Sequence, residues 1–347
     1  FVLESVGSAT PKFHTTGKNT AEGAITFEKL PSYTMEDAGK TYSYKLYEDG
    51  TAKTGGYTYD ASTYNIDVTI TDLGNGSLEV KKEITVDGGE EKPADGVMIF
   101  KNSYKAEDKL QLTAKKVLSG RTLEEGQFHF ILQGDNIATQ TKANDKNGNV
   151  VFDPISYSQK DDGNTYHYAI YEAEAASQTK TDGYTYDTKI YNITVKVTDL
   201  GNGKLDIEKT ILSVKDGKEE TVTGDIVFHN SYEAAGTADV AAEKVLNGRA
   251  LSSKQFSFSL DSTGDAPAVH QVKFNDKDGK IAFDTLKYTH KDAEKTYTYL
   301  LREVIPDQKK DGYTYDEQVY HVKVTVSEAD QENGNGKLEP VTKIYKI

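Results

Sequence analysis

The stretch Asp182–Lys209, DGYTYDTKIYNITVKVTDLGNGKLDIEK, decides how this chain folds. Apolar and polar residues alternate through its middle, which is typical of a half-buried β-strand because successive strand side chains point to opposite faces. The Asn-Gly pair inside TDLGNGKL predicts a hairpin turn into the next strand. Close copies begin at Gly55 (GGYTYDASTYNIDVTITDLGNGSLEVKK) and at Asp311 (DGYTYDEQVYHVKVTV), so one β unit is used three times.

Two further motifs recur along the chain with a constant spacing. KKVLSGRTLEEGQFHFIL is matched by EKVLNGRALSSKQFSFSL, and MIFKNSY is matched by IVFHNSY. Subtracting equivalent positions gives 230 − 102 = 128 and 244 − 116 = 128. A repeat of this length has the size of an immunoglobulin-like domain and is too long for a solenoid unit.

The phase of the repeats predicts three β-sandwich domains. Residues 1–104 form a first unit that lacks its N-terminal strand, residues 105–235 form a complete middle unit, and residues 236–347 form a third unit that lacks its C-terminal strand. Two explanations of the incomplete ends stay open. The sequence is either a window on a longer array, or its ends complete one another between neighbouring molecules.

Composition excludes several classes of function. The 347 residues carry a net charge of −14, with 55 acidic against 41 basic residues, which argues against binding to nucleic acid or to an anionic membrane surface. There is no apolar run long enough to cross a membrane and no signal-peptide pattern at the start. The chain has no cysteine, which excludes disulfides and thiolate metal sites. No cofactor motif is present, so we predict no cofactor.

Strand parity places three polar residues on faces that are otherwise apolar. Lys116 lies on the inward face of LQLTAKKVLSG, Glu172 on that of TYHYAIYE, and Asn230 on that of IVFHNSY. The first unit has the equivalents Glu48 and Asn102 without a lysine. The third unit has the equivalents Lys244 and Glu303 without an asparagine.

The buried trio has two interpretations. One is a buried ion pair with an asparagine satisfying the spare hydrogen bonds, although burying two charges is costly and seldom improves stability. The other is chemical, because burial favours the neutral forms of lysine and glutamate, and a neutral amine is a nucleophile. The amine could attack the asparagine carboxamide while the acid carries protons to the departing ammonia, which leaves a Lys–Asn isopeptide bond.

Two smaller motifs have less specific interpretations. The GYTYD aspartates Asp60, Asp187 and Asp316 are expected to satisfy backbone groups at a strand entrance, with a contact to the cross-link site as the alternative. NDKNG (144–148) and NDKDG (275–279) are predicted to be turns, because they lack the glycine and glutamate positions of a calcium loop. We therefore predict no metal site.

The motifs K-V-L-x-G-R, F-x-F-x-L, Y-x-Y-x-[IL]-x-E, G-Y-T-Y-D and F-x-N-S-Y, in this order, resemble the streptococcal pilin isopeptide linkage domain. The resemblance implies an all-β chain of tandem immunoglobulin-like (CnaB-type) β-sandwich domains in a linear array. It also implies that the first and last strands of a domain lie side by side. Lys116 and Asn230 would then be joined, with Glu172 as the catalytic acid and with Glu48 and Glu303 as its equivalents. Whether Asn102 and Lys244 react depends on residues outside this sequence.

The same resemblance implies a structural role at the bacterial surface. The chain would be the shaft of a Gram-positive pilus or the stalk of a wall-anchored adhesin, located outside the cell. Its partners would be neighbouring copies of the same or a longer array, with no insertion into the membrane and no contact with nucleic acid. It would not be an enzyme beyond one intramolecular turnover. The alternative is an adhesive module that binds a host-surface ligand, either a glycan or an extracellular-matrix protein.

Overall fold

The computed structural model describes residues 1–7, 12–51, 54–87, 96–176, 183–331 and 334–347. The described residues form an almost entirely β structure, which confirms the predicted fold class. The short helices are a four-residue α-helix, α1 (Ala173–Ala176), and three 3-10 turns at Met35–Asp37, Gln159–Asp161 and His290–Asp292. Within the described ranges, none of the helices is long and apolar enough to span a bilayer.

The strands follow the repeat pattern of the sequence. Those of the first repeat are β1 (Val2–Ser5), β2 (His14–Asn19), β3 (Ile25–Phe27), β4 (Thr41–Tyr47), β5 (Tyr57–Thr58), β6 (Thr63–Asp72), β7 (Leu78–Asp87) and β8 (Ser103–Tyr104). Those of the middle repeat are β9 (Glu107–Leu110), β10 (Thr113–Ser119), β11 (His129–Gly134), β12 (Gln140–Ala143), β13 (Asn149–Val151), β14 (Ile155–Ser158), β15 (Thr165–Glu172), β16 (Tyr184–Thr185), β17 (Ile190–Asp199), β18 (Leu205–Lys215), β19 (Lys218–Thr221) and β20 (Val227–Tyr232). Those of the third repeat are β21 (Ala235–Ala238), β22 (Ala241–Glu243), β23 (Ser257–Thr263), β24 (His270–Phe274), β25 (Lys280–Ala282), β26 (Leu286–Thr289), β27 (Lys295–Glu303), β28 (Val319–Glu328) and β29 (Leu338–Lys346).

The middle repeat contains a separate β9–β14 pair and two larger sheets that pack face to face. One has the strand order β13-β10-β20-β16, and the other has the order β12-β11-β15-β17-β18-β19. Their inner faces meet in the core, where the rings of Phe130 on β11 and Phe228 on β20 lie 5.0 Å apart. Strands β10 and β20 are parallel neighbours, so the first and last long strands of the repeat do lie side by side.

The larger sheet recurs in the other two repeats. It has the order β3-β2-β1-β4-β6-β7 in the first repeat and β24-β23-β27-β28-β29 in the third. The counterparts of the four-stranded sheet are reduced, among the described residues, to the pair β5–β8 in the first repeat and the pair β22–β25 in the third, where β21–β26 is the counterpart of β9–β14.

Spatial contacts divide the chain into two compact units that cut across the sequence repeats. The first unit contains Phe1–Leu110, Pro154–Thr165 and Val195–Lys209. The second contains Gln111–Asp153, Tyr166–Thr194 and Thr210–Ile347. The boundaries 1–104, 105–235 and 236–347 that the sequence predicts therefore stay a proposal about sequence domains.

The alternation of the opening stretch corresponds to alternating burial along β17. Tyr191, Ile193, Val195 and Val197 are all buried, as the period of two requires. The predicted hairpin between β17 and β18 is present, but its connection is longer than a two-residue Asn-Gly turn. It spans residues 200–204, between the end of β17 and the start of β18.

Candidate functional site

The structure brings Lys116, Glu172 and Asn230 together in the core of the middle repeat. The Lys116 Nζ lies 2.6 Å from Glu172 Oε2, and the Asn230 Nδ2 donates to Glu172 Oε1 at 2.5 Å. The exposed fractions of the three residues are 1%, 1% and 3%, respectively. One carboxyl group therefore contacts both the amine and the carboxamide, away from water.

The strand register explains why a single carboxyl group reaches both partners. Lys116 on β10 lies opposite Phe228 on β20, and Asn230 lies opposite Leu118. Lys116 and Asn230 are thus diagonal neighbours on the inner face of one sheet. Glu172 is the last residue of β15 in the facing sheet, so its side chain crosses the core between them.

Burial in an apolar environment dominates the electrostatics of the pair. Desolvation lowers the pKa of Lys116, although the charge of Glu172 opposes that shift. Desolvation likewise raises the pKa of Glu172 against the opposing effect of Lys116. The rings of Phe128 and Phe130 lie 4.5 and 5.7 Å from the Lys116 Nζ, so aromatic side chains surround the amine. Both shifts favour transfer of the proton from the ammonium to the carboxylate.

The GYTYD aspartate contacts the site through its main chain. The Asp187 backbone N–H donates to Asn230 Oδ1 at 2.7 Å. Its carboxylate accepts the backbone N–H of His229 at 2.9 Å and that of Lys189 at 3.2 Å. The aspartate therefore satisfies backbone groups at a strand entrance and also contacts the site. An N–H aimed at Oδ1 polarises the carboxamide and stabilises negative charge that develops on that oxygen.

The NDKNG turn also supports the site, which the sequence analysis did not predict. The Lys116 N–H donates to Gly148 O at 2.6 Å, and a Cβ on Gly148 would lie 2.1 Å from Lys116 O. Asn144 is buried, and its Oδ1 accepts the Phe128 N–H at 2.8 Å. The turn thus fixes both the lysine backbone and the aromatic ring beside its amine. The sequence contained a signal for this supporting role, because the turn is nearly repeated as NDKDG ahead of the strand that carries Glu303 in the third repeat.

The first repeat has the asparagine side of the same arrangement. Asn102 Nδ2 donates to Glu48 Oε1 at 2.7 Å, and the Asp60 N–H donates to Asn102 Oδ1 at 2.8 Å. These contacts reproduce those of Asn230 in the middle repeat. Asn102 is exposed, whereas Asn230 is buried. Glu48 Oε2 is buried and has no hydrogen-bond partner among the described residues.

The third repeat has the lysine side. The Lys244 Nζ lies 2.7 Å from Glu303 Oε2 and 4.5 Å from the centre of the Phe256 ring. Glu303 Oε1 is buried and has no hydrogen-bond partner in the described part of the chain. The Asp316 N–H donates to Glu303 Oε2 at 3.1 Å.

The two half-sites are complementary. Glu48 has an unpaired Oε2, the oxygen that binds lysine in the middle repeat, and Glu303 has an unpaired Oε1, the oxygen that binds asparagine there. A cavity of about 560 Å³ borders Glu48 and Asn102, and one of about 630 Å³ borders Lys244 and Glu303. Among the residues that the structure describes, no cluster of three or more His, Asp or Glu residues could hold a metal ion.

Comparison with known proteins follows the repeats of the sequence. The family model of the Spy0128-like isopeptide containing domain (FctA) matches residues 1–105, 112–233 and 240–346. The major pilin from Streptococcus pyogenes is similar at 16% identity, over 67% of this chain and 97% of that chain, with a TM-score of 0.29. The T3.2 major pilin of S. pyogenes serotype GAS13637 matches at 16% identity, over 67% and 96% of the two chains, with a TM-score of 0.27. The Bacillus anthracis TIE protein matches at 11% identity, over 92% of this chain and 48% of that chain, with a TM-score of 0.21.

No curated protein matches the chain. The solved structures resemble it only distantly, so the assignment rests on the family model, whose three matches cover nearly every residue. The matches coincide with the recurrence of the motifs around Lys116, Glu172 and Asn230. The chain belongs to the family of Spy0128-like isopeptide containing domains and carries this domain three times.

Proposed function

We propose that this chain is a segment of a Gram-positive pilus shaft or surface stalk whose middle repeat is locked by a Lys116–Asn230 isopeptide bond. The observation that carries the proposal is the contact of one buried carboxyl group, that of Glu172, with both reacting side chains. A stabilising ion pair alone would be a poor reason to bury these groups, since the desolvation of two charges offsets much of their attraction.

The three side chains supply all the atoms and protons of the bond-forming step. The Lys116 ammonium transfers a proton to Glu172, and the neutral Nζ attacks Cγ of Asn230. Negative charge develops on Oδ1, where the Asp187 N–H donates its hydrogen bond. Glu172 then protonates Nδ2, the Cγ–Nδ2 bond breaks, and the excess proton of the new Nζ–Cγ bond returns to the carboxylate. The products are an amide, one ammonia molecule and Glu172 in its protonated form, so each site reacts once.

The cross-link would bear load as well as add stability. Residues 116 and 230 are 230 − 116 = 114 positions apart, so the bond closes a loop whose entropy is worth about 4–5 kcal/mol by analogy with a disulfide. Because it joins neighbouring strands at the two ends of the repeat, tension would pass from β10 to β20 without loading the strands between them. Unlike a disulfide, the bond also resists reduction.

Location and partners follow from the same proposal. The match of all three repeats to the pilin-type isopeptide domain family supports an extracellular position on a bacterial surface. The partners would be further pilin-type repeats, in the same or a neighbouring chain. A host ligand is not needed for this role.

Intact-mass spectrometry tests the cross-link directly. A purified chain with the middle bond formed should be lighter than its sequence mass by about 17 Da, the mass of one ammonia molecule. Asn230→Ala should show no deficit, because the carboxamide that leaves as ammonia is gone. Asn192→Ala, which alters an exposed asparagine on β17, is the matched control and should keep the deficit. A wild-type chain at its full sequence mass would rule out the bond.

A further inference from the structure

The tyrosine of the F-x-N-S-Y motif contacts the following repeat rather than the candidate cross-link site. Tyr104 lies two residues after Asn102, and its hydroxyl donates to Asp199 Oδ1 at 2.6 Å. The Tyr104 hydroxyl oxygen in turn accepts the backbone N–H of Gly203 at 3.1 Å. Asp199 and Gly203 belong to the TDLGNG hairpin of the following repeat, and all of these residues lie in the first compact unit.

The contact between the tyrosine hydroxyl and the last hairpin glycine recurs at the next border, inside the second compact unit. The Tyr232 hydroxyl accepts the backbone N–H of Gly336, the equivalent of Gly203, at 3.2 Å. Arg121 adds a further tie, because its guanidinium lies 5.6 Å from the centre of the Tyr232 ring and its Nη2 donates to Gln331 O at 2.6 Å. Tyr232 is 1% exposed, so its ring is fully enclosed.

Glycines allow the two backbones to approach at both borders. A Cβ on Gly203 would lie 2.6 Å from Gly56 N, and a Cβ on Gly183 would lie 2.6 Å from Gly336 Cα. All four have positive φ angles, which L-residues rarely adopt. The glycine of GYTYD and the last glycine of the G-N-G hairpin are therefore contact residues of one interface that is built twice.

The first repeat has the same hairpin, and there it is exposed. Residues 71–76 read TDLGNG, identical to residues 198–203. Its internal bonds also match, since Gly74 N donates to Asp72 Oδ1 at 2.8 Å and Gly201 N donates to Asp199 Oδ1 at 2.9 Å. No described atom lies within 4 Å of a Cβ built on Gly76, the equivalent of Gly203. The docking conformation is thus formed without a docked partner.

We propose that the F-x-N-S-Y tyrosine is a latch that holds the G-N-G hairpin of the following repeat and restricts hinge motion at each border. The exposed hairpin of the first repeat, Asp72–Gly76, is accordingly a docking surface for the Asn-Ser-Tyr end of another repeat of this kind. The occupant is defined by its chemistry: a phenol that donates to Asp72, and a glycine turn that fits against Gly76. The latch contacts are non-covalent and do not require the isopeptide bond.

Spin-label distances across the first border test the latch. The chain has no cysteine, so Lys82→Cys and Lys209→Cys place two nitroxides on exposed strands of successive repeats. We expect Tyr104→Phe to broaden the distance distribution about twofold, because two hydrogen bonds are lost while the ring remains. Tyr57→Phe is the matched control, since it removes the hydroxyl of the ring whose centre lies 4.7 Å from that of Tyr104 and leaves the latch hydroxyl in place.

Gly203→Ala is a second, independent variant that should also broaden the distribution by forcing the backbones apart. Unchanged widths in both Tyr104→Phe and Gly203→Ala would overturn the latch, as would an equal broadening in Tyr57→Phe. Thermal unfolding of each variant verifies that the repeats remain folded.

An extended chain tests the open hairpin. Leu3 pairs with Leu46 in the first repeat as Leu260 pairs with Leu301 in the third, so Phe1 is equivalent to Phe258. A second copy of residues 106–257 can therefore be joined directly ahead of Phe1 with the strands in register. Hydrogen exchange at the Gly76 amide should slow at least about tenfold in this chain, and Tyr232→Phe in the added copy should abolish the effect. An unchanged exchange rate would overturn the docking surface. Intact mass reports separately whether Asn102 has reacted with the added lysine, so failure of the cross-link cannot be mistaken for failure of docking.

Discussion

Glu172 connects the two halves of the middle site at the scale of single residues. Its two oxygens have different partners, Lys116 on Oε2 and Asn230 on Oε1. The same group can therefore take the proton from the amine and deliver it to the leaving nitrogen without moving between sites. Burial raises its pKa, which favours the protonated acid that this role needs.

Glu172→Gln keeps the size of the side chain and removes its acid. We expect the deficit of about 17 Da to disappear, because a carboxamide cannot shuttle the proton that the attack requires. Glu174→Gln is the matched control, since Glu174 instead accepts the backbone N–H of His129 at 3.0 Å. Intact-mass spectrometry of both variants decides the matter, and a retained deficit in Glu172→Gln would remove Glu172 from the mechanism.

The pH dependence of an unreacted site can be worked out from the two shifts. In Asn230→Ala the raised pKa of Glu172 lets the folded chain keep a proton that the unfolded chain has lost. Stability therefore falls as pH rises through the interval between the ordinary glutamate pKa and the raised pKa of Glu172 in the folded chain. The lowered pKa of Lys116 makes stability rise again as pH climbs towards the ordinary lysine pKa. The unfolding temperature of the middle repeat should therefore pass through a minimum between the two intervals.

Calorimetry over a pH series measures this minimum. The reference is the same variant with Lys116→Met and Glu172→Leu, which removes both titrating groups and leaves the other carboxylates unchanged. The difference between the two curves should show the minimum, and a flat difference would mean that the pair is not desolvated as the structure indicates.

At the scale of elements, the parallel pairing of β10 with β20 determines what the proposed bond could do mechanically. The two strands come from opposite ends of the repeat and lie next to each other through five paired positions, from Lys115–Val227 to Ser119–Ser231. A bond across this pair takes the intervening chain out of the path of tension. Only connectors such as residues 230–244 would remain stretchable, over 244 − 230 = 14 positions.

Single-molecule stretching separates the linked from the unlinked repeat. Asn230→Ala should release the 114 residues between the cross-link positions and lengthen the chain by about 400 Å, at roughly 3.6 Å per extended residue. The wild-type middle repeat should release none of this length. Asn192→Ala should behave like wild type, and an Asn230→Ala chain without the additional extension would contradict the load-bearing role.

At the scale of the whole molecule, three copies of one site are present in three states of completion. The middle copy has lysine, glutamate and asparagine, the first lacks the lysine, and the third lacks the asparagine. Each incomplete copy leaves unpaired the carboxylate oxygen that would contact the missing group. Each half-site therefore leaves room at the glutamate for the group that the proposed reaction needs.

The third repeat should accept its missing reactant from a peptide. A nine-residue peptide with the sequence of residues 225–233, DIVFHNSYE, places an asparagine as Asn230 is placed beside β10. We expect a covalent adduct at Lys244 with a mass equal to the sum of the two minus about 17 Da. Lys244→Ala, or a peptide with alanine in place of the asparagine, should give no adduct. Failure of the unaltered pair to react would show that the half-site is not catalytically formed.

The sequence by itself determined the β class, the repeats and the residues that face the core. These follow from local rules, because a period of two assigns Lys116, Glu172 and Asn230 to inward faces without knowledge of their neighbours. Turn glycines and motif order likewise indicated the hairpins and the family. The exposure of Asn102 is different, because its motif is the same as that of Asn230 and only the surrounding strands distinguish the two.

Only the tertiary structure decided which atoms meet. The contact of Asp187 N–H with Asn230 Oδ1, the support of Lys116 by Gly148, and the latch between Tyr104 and Asp199 join residues 32 to 95 positions apart. No local pattern specifies such pairs, since they arise from the packing of sheets and from the border between repeats. The physical reason is the distance along the sequence over which each property is determined. The direction of a side chain is determined by the adjacent backbone, whereas its hydrogen-bond partners are determined by the folded arrangement of distant strands.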